Sequence, residues 1–125
     1  MLKILKIQDK FDQEQLCATC DVPYVAHHMA YRIEVDGKTI GIATFFMGTK
    51  AGYLVQLCTI PGVQDDNALF ITGRGVLDFM ERCGAHEAFA IGSPCSENLL
   101  REIGFTLKDD LWSMDVSDFF TSHKH

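Results

Sequence analysis

The sequence predicts an α+β, that is α/β layered, fold: a mixed, mostly antiparallel sheet of six to seven strands with flanking helices. Three observations carry this. Tyr31 to Val35 alternates cleanly and runs into Asp36-Gly37, the strongest hairpin signal in the chain. Tyr53 to Phe105 reads strand, loop, long helix, strand, short helix, the order of a βαβ unit with two parallel strands. The chain has 125 residues, 47% hydrophobic and 22% charged, which are ordinary values for one globular domain with a real core.

Leu2, Ile4 and Ile7 alternate with Lys3 and Lys6 and mark a first strand. Leu5 breaks the alternation, so partial burial on both faces is expected. Asp12 is placed to cap a short helix from Gln13 to Cys20, with Leu16 and Cys20 inward and Pro23 as its end. Pro23 to Met29 is the least regular stretch and carries His27 and His28. Tyr31, Ile33 and Val35 share one face of the second strand. Thr39 to Met47 follows, then Gly48 to Gly52 returns the chain into Tyr53 to Ile60. Strands two to four therefore form an antiparallel meander.

Pro61-Gly62 opens the loop before the main helix. Leu69, Gly73, Val76, Leu77, Met80 and Gly84 fall at helical spacing, which predicts a helix over most of Asp66 to Arg82. Gly73 and Gly75 inside it each cost about 1 kcal/mol against alanine. Close approach to the sheet at Gly73 is one physical reason for them. The rival reading is a phosphate loop at Gly73-Arg74-Gly75, but the third glycine of the dinucleotide fingerprint is absent. Beyond Gly84-Ala85, Glu87 to Ile91 forms the second parallel strand. Ser93 is read as the cap of a helix running through Glu102, with Pro94 in its first turn. Leu99, Leu100 and Ile103 face inward, and Gly104 stops the helix. Phe105 opens a further strand region, Asp109-Asp110 turns it, and Leu111 to Val116 forms the last strand. Phe119 and Phe120 are expected to close the core edge, and Thr121 to His125 to fray.

A net charge of −6 disfavours nonspecific nucleic-acid binding and an anionic membrane surface. No apolar run approaches the about 18 residues of a membrane span. The start, Met1 to Ile7, is too short for a signal peptide, so a cytoplasmic location is expected. Five cysteines are an odd count, which argues against a disulfide framework. Cys17-Ala-Thr-Cys20 has the spacing of redox and zinc sites. A second such pair is missing, although His27 and His28 follow soon after. Buried structural cysteines are the expected reading, and no metal is expected. Ligands of parallel sheets sit where strands end and helices begin. A small-molecule site is therefore expected around Thr59 to Asn67 and Gly92 to Ser96.

Those same stretches carry a resemblance. Ser93-Pro-Cys-Ser-Glu-Asn-Leu-Leu-Arg-Glu-Ile-Gly-Phe105 looks like the Asn-Pro-x-Ala-x-x-x-Tyr-x-x-x-Gly-Phe element of the GNAT acetyltransferase superfamily. Thr59-Ile60-Pro61 looks like the Val-x-Pro that closes that family's fourth strand. From Tyr31 onward the chain resembles the family. The resemblance implies that the two parallel strands splay apart and that the pantetheine arm of acetyl-CoA, or of another acyl-CoA, lies in the gap. Backbone groups of Cys58, Thr59 and Ile60 would hold that arm, with Ser93 and Ser96 across from it. The helix start, through Gln64, Asn67, Ala68 and Leu69, would face the pyrophosphate. The implied activity is N-acyl transfer to an amine of a small molecule or peptide.

The sequence departs from the family at defined positions. The helix-start pattern Gln/Arg-x-x-Gly-x-Gly/Ala aligns with Gln64-Asp-Asp-Asn67-Ala-Leu69. Gln64 fits, both glycines are replaced, and Asp65 and Asp66 add negative charge. The bland alternative is that one of these aspartates caps the helix and occupies its anion site. The leucine side chain at position 69 is expected to obstruct an approaching phosphate. The tyrosine that protonates the leaving thiolate aligns with Leu100, which has no proton to give. Gln56 is the nearest analogue of the strand glutamate base, and an amide is not a base at neutral pH. The remaining catalytic candidates are Cys95, near a predicted helix start, and His27 and His28, where the family's substrate-side loops occur. Each also has a plain structural reading. Positioning an amine beside a thioester supplies much of the rate without them. A second reading is a GNAT-like fold without catalysis, acting as a ligand-binding or dimerisation module. Ile7 to Tyr31 has room for one helix where the family places two. That leaves an open acceptor cleft, a covering partner such as a second copy, or no acceptor.

Overall fold

The computed structural model describes residues 1–117, so Phe119, Phe120 and Thr121 to His125 lie outside the described residues. In chain order the elements are β1 (Leu2–Lys6), α1 (Lys10–Thr19), β2 (Met29–Val35), β3 (Lys38–Met47), β4 (Ala51–Thr59), α2 (Asp66–Arg82), β5 (Glu87–Ala90), α3 (Glu97–Ile103), β6 (Thr106–Lys108) and β7 (Leu111–Asp115). Among the described residues, seven strands form one sheet in the order β1-β2-β3-β4-β5-β7-β6. The first four are consecutive antiparallel neighbours. β4 and β5 pair in parallel, and β7 lies antiparallel to both β5 and β6. The mixed sheet with its parallel pair is the fold class read from the sequence.

Two clusters make three layers. Ile33, Ala43, Phe45, Leu54 and Leu57 of the sheet pack with Val76, Leu77 and Met80 of α2 and with Leu99, Leu100 and Ile103 of α3. On the opposite face, α1 brings Leu16, Cys17 and Cys20 onto Ile7, Ala30 and Ile42. Leu57 belongs to one cluster and its neighbour Cys58 borders the other, as strand alternation requires.

Local chemistry explains most boundaries. Asp36 and Gly37 have φ of 52° and 82°, the paired positive values of a type I′ hairpin. Gly73 is where α2 meets the sheet closely: a Cβ there would stand 2.6 Å from Ile103 Cδ1 and 3.2 Å from Leu57 Cδ2. It lies inside α2, so the phosphate-loop reading does not hold. Thr44 pairs with Gln56 and Phe45 with Leu54, leaving Val55 as the extra residue of a β-bulge in β4.

Three local expectations are corrected. The cap of α1 is Asp9, not Asp12: its carboxylate accepts the N–H groups of Phe11 at 2.7 Å and Asp12 at 3.3 Å. Lys10 then reaches the His28 carbonyl at 2.7 Å, a tertiary bond that favours the earlier start. The chain leaves this helix at Asp21, with φ of 59°, ahead of Pro23. The cap of α3 is Ser96, whose Oγ accepts the Leu99 N–H at 3.2 Å. Ser93 and Pro94 stay outside because the Pro94 carbonyl accepts the Leu57 N–H of β4 at 3.0 Å. Finally, among the described residues β1 is an edge strand paired only with β2, and Leu5 is 40% exposed, so it is not covered on both faces.

Candidate functional site

The parallel pair ends early. Ala51 to Leu54 pair with Glu87 to Ala90, and the Ile91 N–H adds one bond to the Leu54 carbonyl at 3.0 Å. β5 stops there, while β4 continues through Val55 to Thr59. The bulge at Val55 shifts the alternation, so Leu57 now turns its N–H away from β3 and toward the loop of residues 92–96. That N–H is taken by Pro94. Alternation turns the Thr59 backbone to the same side and those of Cys58 and Ile60 toward β3. The Ile60 N–H indeed donates to the Ile40 carbonyl at 2.7 Å. The Thr59 hydroxyl donates to the Val63 carbonyl at 2.6 Å, which fixes the loop ahead of α2.

The start of α2 is filled by its own chain. Asp65 is the N-cap and accepts the Ala68 N–H at 3.0 Å; the Leu69 N–H donates to the Asp65 carbonyl at 3.2 Å. The Leu69 side chain is 7% exposed and belongs to the core, so it does not stand in front of the helix end as expected from sequence. Helical geometry sends it back onto the sheet. Gln64, Asp66 and Asn67 are exposed at this end, as are Ser93 and Ser96 across from it. Asp66, Asn67 and Phe70 of α2 and Glu102 of α3 line an open cavity of about 520 Å³. Its two charged lining groups are both carboxylates. The nearby Arg74 donates to the Ile103 carbonyl at 3.1 Å and lies 5.8 Å over the Phe70 ring.

The catalytic candidates divide. Gln56 is half-buried on β4, on the face that α1 partly covers, opposite Thr44. Thr44 is 2% exposed and its Oγ1 has no hydrogen-bond partner among the described residues. His27 and His28 come to the same face. The His28 ring stacks on Phe46 with centroids 5.2 Å apart, and His27 meets the edge of Phe46 at 5.3 Å. Phe46 in turn stacks on Tyr53, and Tyr53 on Phe89, so a row of aromatic rings crosses the sheet beyond the start of α1. His28 is buried, and burial holds its pKa below the ordinary imidazole value, with help from neighbouring His27 and Lys10. It is therefore neutral at neutral pH.

Cys95 is half-buried, and its thiol is pushed up to about 12, mainly by burial and then by the charges of Asp66 and Cys58. It sits before the start of α3, and the thiolate expected of a helix start does not form. Leu100 is 2% exposed and packs in the core with Ile103. Sequence reasoning missed the Pro94 carbonyl and the orphaned Thr44 hydroxyl, neither of which has a local signature. It also missed Glu102, which lines the same cavity as Asp66 because α2 and α3 pack together. Among the described residues, no group of three or more His, Cys, Asp or Glu is placed to hold a metal ion. No helix among them is long and apolar enough to cross a membrane.

A seven-stranded layered sheet with one parallel pair opening beside a bulge defines the class. It is the fold of the GNAT acetyltransferases. The sequence matches no family model and no curated protein. Among solved structures, it is similar to the ribosomal-protein-S18-alanine N-acetyltransferase from Escherichia coli, at 12% identity over 94% of this chain and 95% of that one, with a TM-score of 0.70. It is similar to an acetyltransferase from Bacillus subtilis in complex with CoA, at 14% identity over 100% and 86%, with a TM-score of 0.69. A chain of the AtaT–AtaR complex bound to DNA gives 12% identity over 99% of each and a TM-score of 0.69. At these identities the likeness is one of fold.

Proposed function

We propose that this protein is an acyl-CoA-dependent N-acyltransferase that moves an acetyl or other acyl group to the amine of a small molecule or peptide. One observation carries the reading: β4 runs on from Val55 to Thr59 after β5 has let go, with a bulge at the parting point. An extended thioester arm fits beside such an unpaired edge, because its amides replace those of the missing strand. Thr59 offers its backbone there, and the arm would take the Leu57 N–H in place of the Pro94 carbonyl. The amine would approach on the face of Gln56, Tyr53 and the two histidines. It attacks the thioester carbonyl, the C–S bond breaks, and the thiolate leaves. Leu100 is buried in the core, so solvent takes the proton from the nitrogen of the new C–N bond and supplies one to sulfur. Rate then comes from positioning rather than from an assigned acid or base. The net charge of −6 favours a small amine over nucleic acid or a membrane as partner, and the reading includes a cytoplasmic location.

A second reading, a GNAT-like module without catalysis that binds a ligand or a second copy, has its own observation. Asp65 occupies the Ala68 N–H and Pro94 occupies the Leu57 N–H, so the chain fills two donors that an acyl-CoA would use. Calorimetric titration with acetyl-CoA and with CoA, at low and at moderate salt, separates the two. Micromolar binding supports the acyltransferase and justifies a screen of amines. No detectable heat at millimolar ligand overturns it and leaves the second reading.

A further inference from the structure

The Cys17-Ala-Thr-Cys20 motif finds a third cysteine in the folded chain. It closes α1, and both its thiols are sealed, at 1% and 4% exposed. Cys58, on β4 opposite Ile42, packs against the same cluster from the other side. Cys58 is only half-buried, and all three are free thiols. We propose that Cys58 and Cys20 form an oxidisable dithiol, which hydrogen peroxide converts to a disulfide joining the end of α1 to β4.

The geometry divides the roles. Cys58 is the member a small oxidant can reach, and Cys20 is the sealed partner behind it. The Cys20 thiol lying against Cys58 lowers the Cys58 pKa and raises its own, which makes Cys58 the better thiolate. An accessible, acidified thiol with a second thiol beside it is the arrangement that reacts with peroxide and is then resolved. In the first step the Cys58 sulfur attacks one peroxide oxygen. An S–O bond forms, the O–O bond breaks, and hydroxide leaves. In the second step the Cys20 sulfur attacks the Cys58 sulfenic acid. The S–S bond forms, the S–O bond breaks, and the departing oxygen takes up the Cys20 proton as water. Two thiols and one hydrogen peroxide give one disulfide and two waters, and an added dithiol reverses the change. None of this depends on acyl transfer. Cys83, exposed at the C-terminal cap of α2, is an internal control for simple accessibility.

The test treats the reduced protein with hydrogen peroxide, blocks remaining thiols with N-ethylmaleimide in denaturant, and maps the peptides without reduction. The expected result is a fall in maleimide adducts from the five of the reduced chain to three. A linked peptide pair carrying Cys20 and Cys58 accompanies it, and dithiothreitol restores all five. In Cys20→Ser, dimedone is expected to label Cys58 instead. Five adducts retained after peroxide, oxidation confined to Cys83, or a link between Cys17 and Cys20 would overturn the proposal. The map of the unaltered protein decides the matter whether or not the variant folds.

Discussion

Asp65 holds the first turn of α2 with a carboxylate where an incoming phosphate would need an N–H. Asp65→Ala is expected to destabilise the fold by about 1 kcal/mol, read as a lower urea midpoint at unchanged slope. Asp65→Asn keeps a capping oxygen and is expected to stay within a few tenths of the unaltered protein. His28 sets a second residue-scale expectation. Its folded pKa lies below its unfolded value of 6.5, so the unfolded chain binds the proton first. Its contribution is whole above that pH and is lost as pH falls through 6.5 toward the lower folded value. The carboxylates of Asp36 and Asp115 are held below 3.8 and do not titrate in this window. Stability measured by urea at about pH 7.5 and about pH 5.5 should therefore fall on acidification, and His28→Gln should flatten that fall.

At the scale of elements, α2 contains its own control experiment. A Cβ at Gly73 meets Ile103 Cδ1 at 2.6 Å, while one at Gly75 meets only Ile4 Cδ1 at 3.6 Å. Both gain helix propensity of up to about 1 kcal/mol on changing to alanine. Gly75→Ala should keep that gain, whereas overpacking should turn Gly73→Ala into a net loss of about 1–3 kcal/mol. Urea midpoints of the two variants, moving in opposite directions, check it. The bounds of α2 were legible in the sequence because Asp65, the apolar spacing and the Gly84 break all agree. So was the β2–β3 hairpin, where Asp36 and Gly37 both accept positive φ. The start of α3 was not legible. Ser93-Pro94 carries the stronger local signal, but the Leu57 N–H, distant in sequence, claims the Pro94 carbonyl. For the same reason the candidate site was only half legible: sequence pointed to the right loops but not to which donors the chain itself consumes.

For the molecule as a whole, charge governs the encounter with any acyl-CoA. The net charge is −6, and Asp66 and Glu102 both line the groove at the start of α2. A carboxylate and a phosphate about 6 Å apart repel by roughly 0.7 kcal/mol in water and roughly 3 kcal/mol at an effective dielectric of 20, and salt weakens that repulsion. CoA affinity is therefore expected to rise with ionic strength. Asp66→Asn combined with Glu102→Gln should tighten binding at low salt and flatten the trend, as read by calorimetry. On the opposite side, α1 covers only the end of the sheet near Ile42. The row from Phe46 through Tyr53 to Phe89 is left half-exposed.

Trp112 is the chain's one tryptophan, with its strand partner Ala90 at the last pairing of β5. The Arg101 guanidinium of α3 stands 4.9 Å over its ring. A cation at that distance shifts the excited state of an indole, so its fluorescence reports any movement of α3 against the sheet. Because α3 follows the loop that holds Leu57, a ligand that displaces Pro94 tugs on the fluorophore's neighbour. The protein thus carries a built-in optical probe beside the place where its parallel strands part, and no label needs to be attached to watch it.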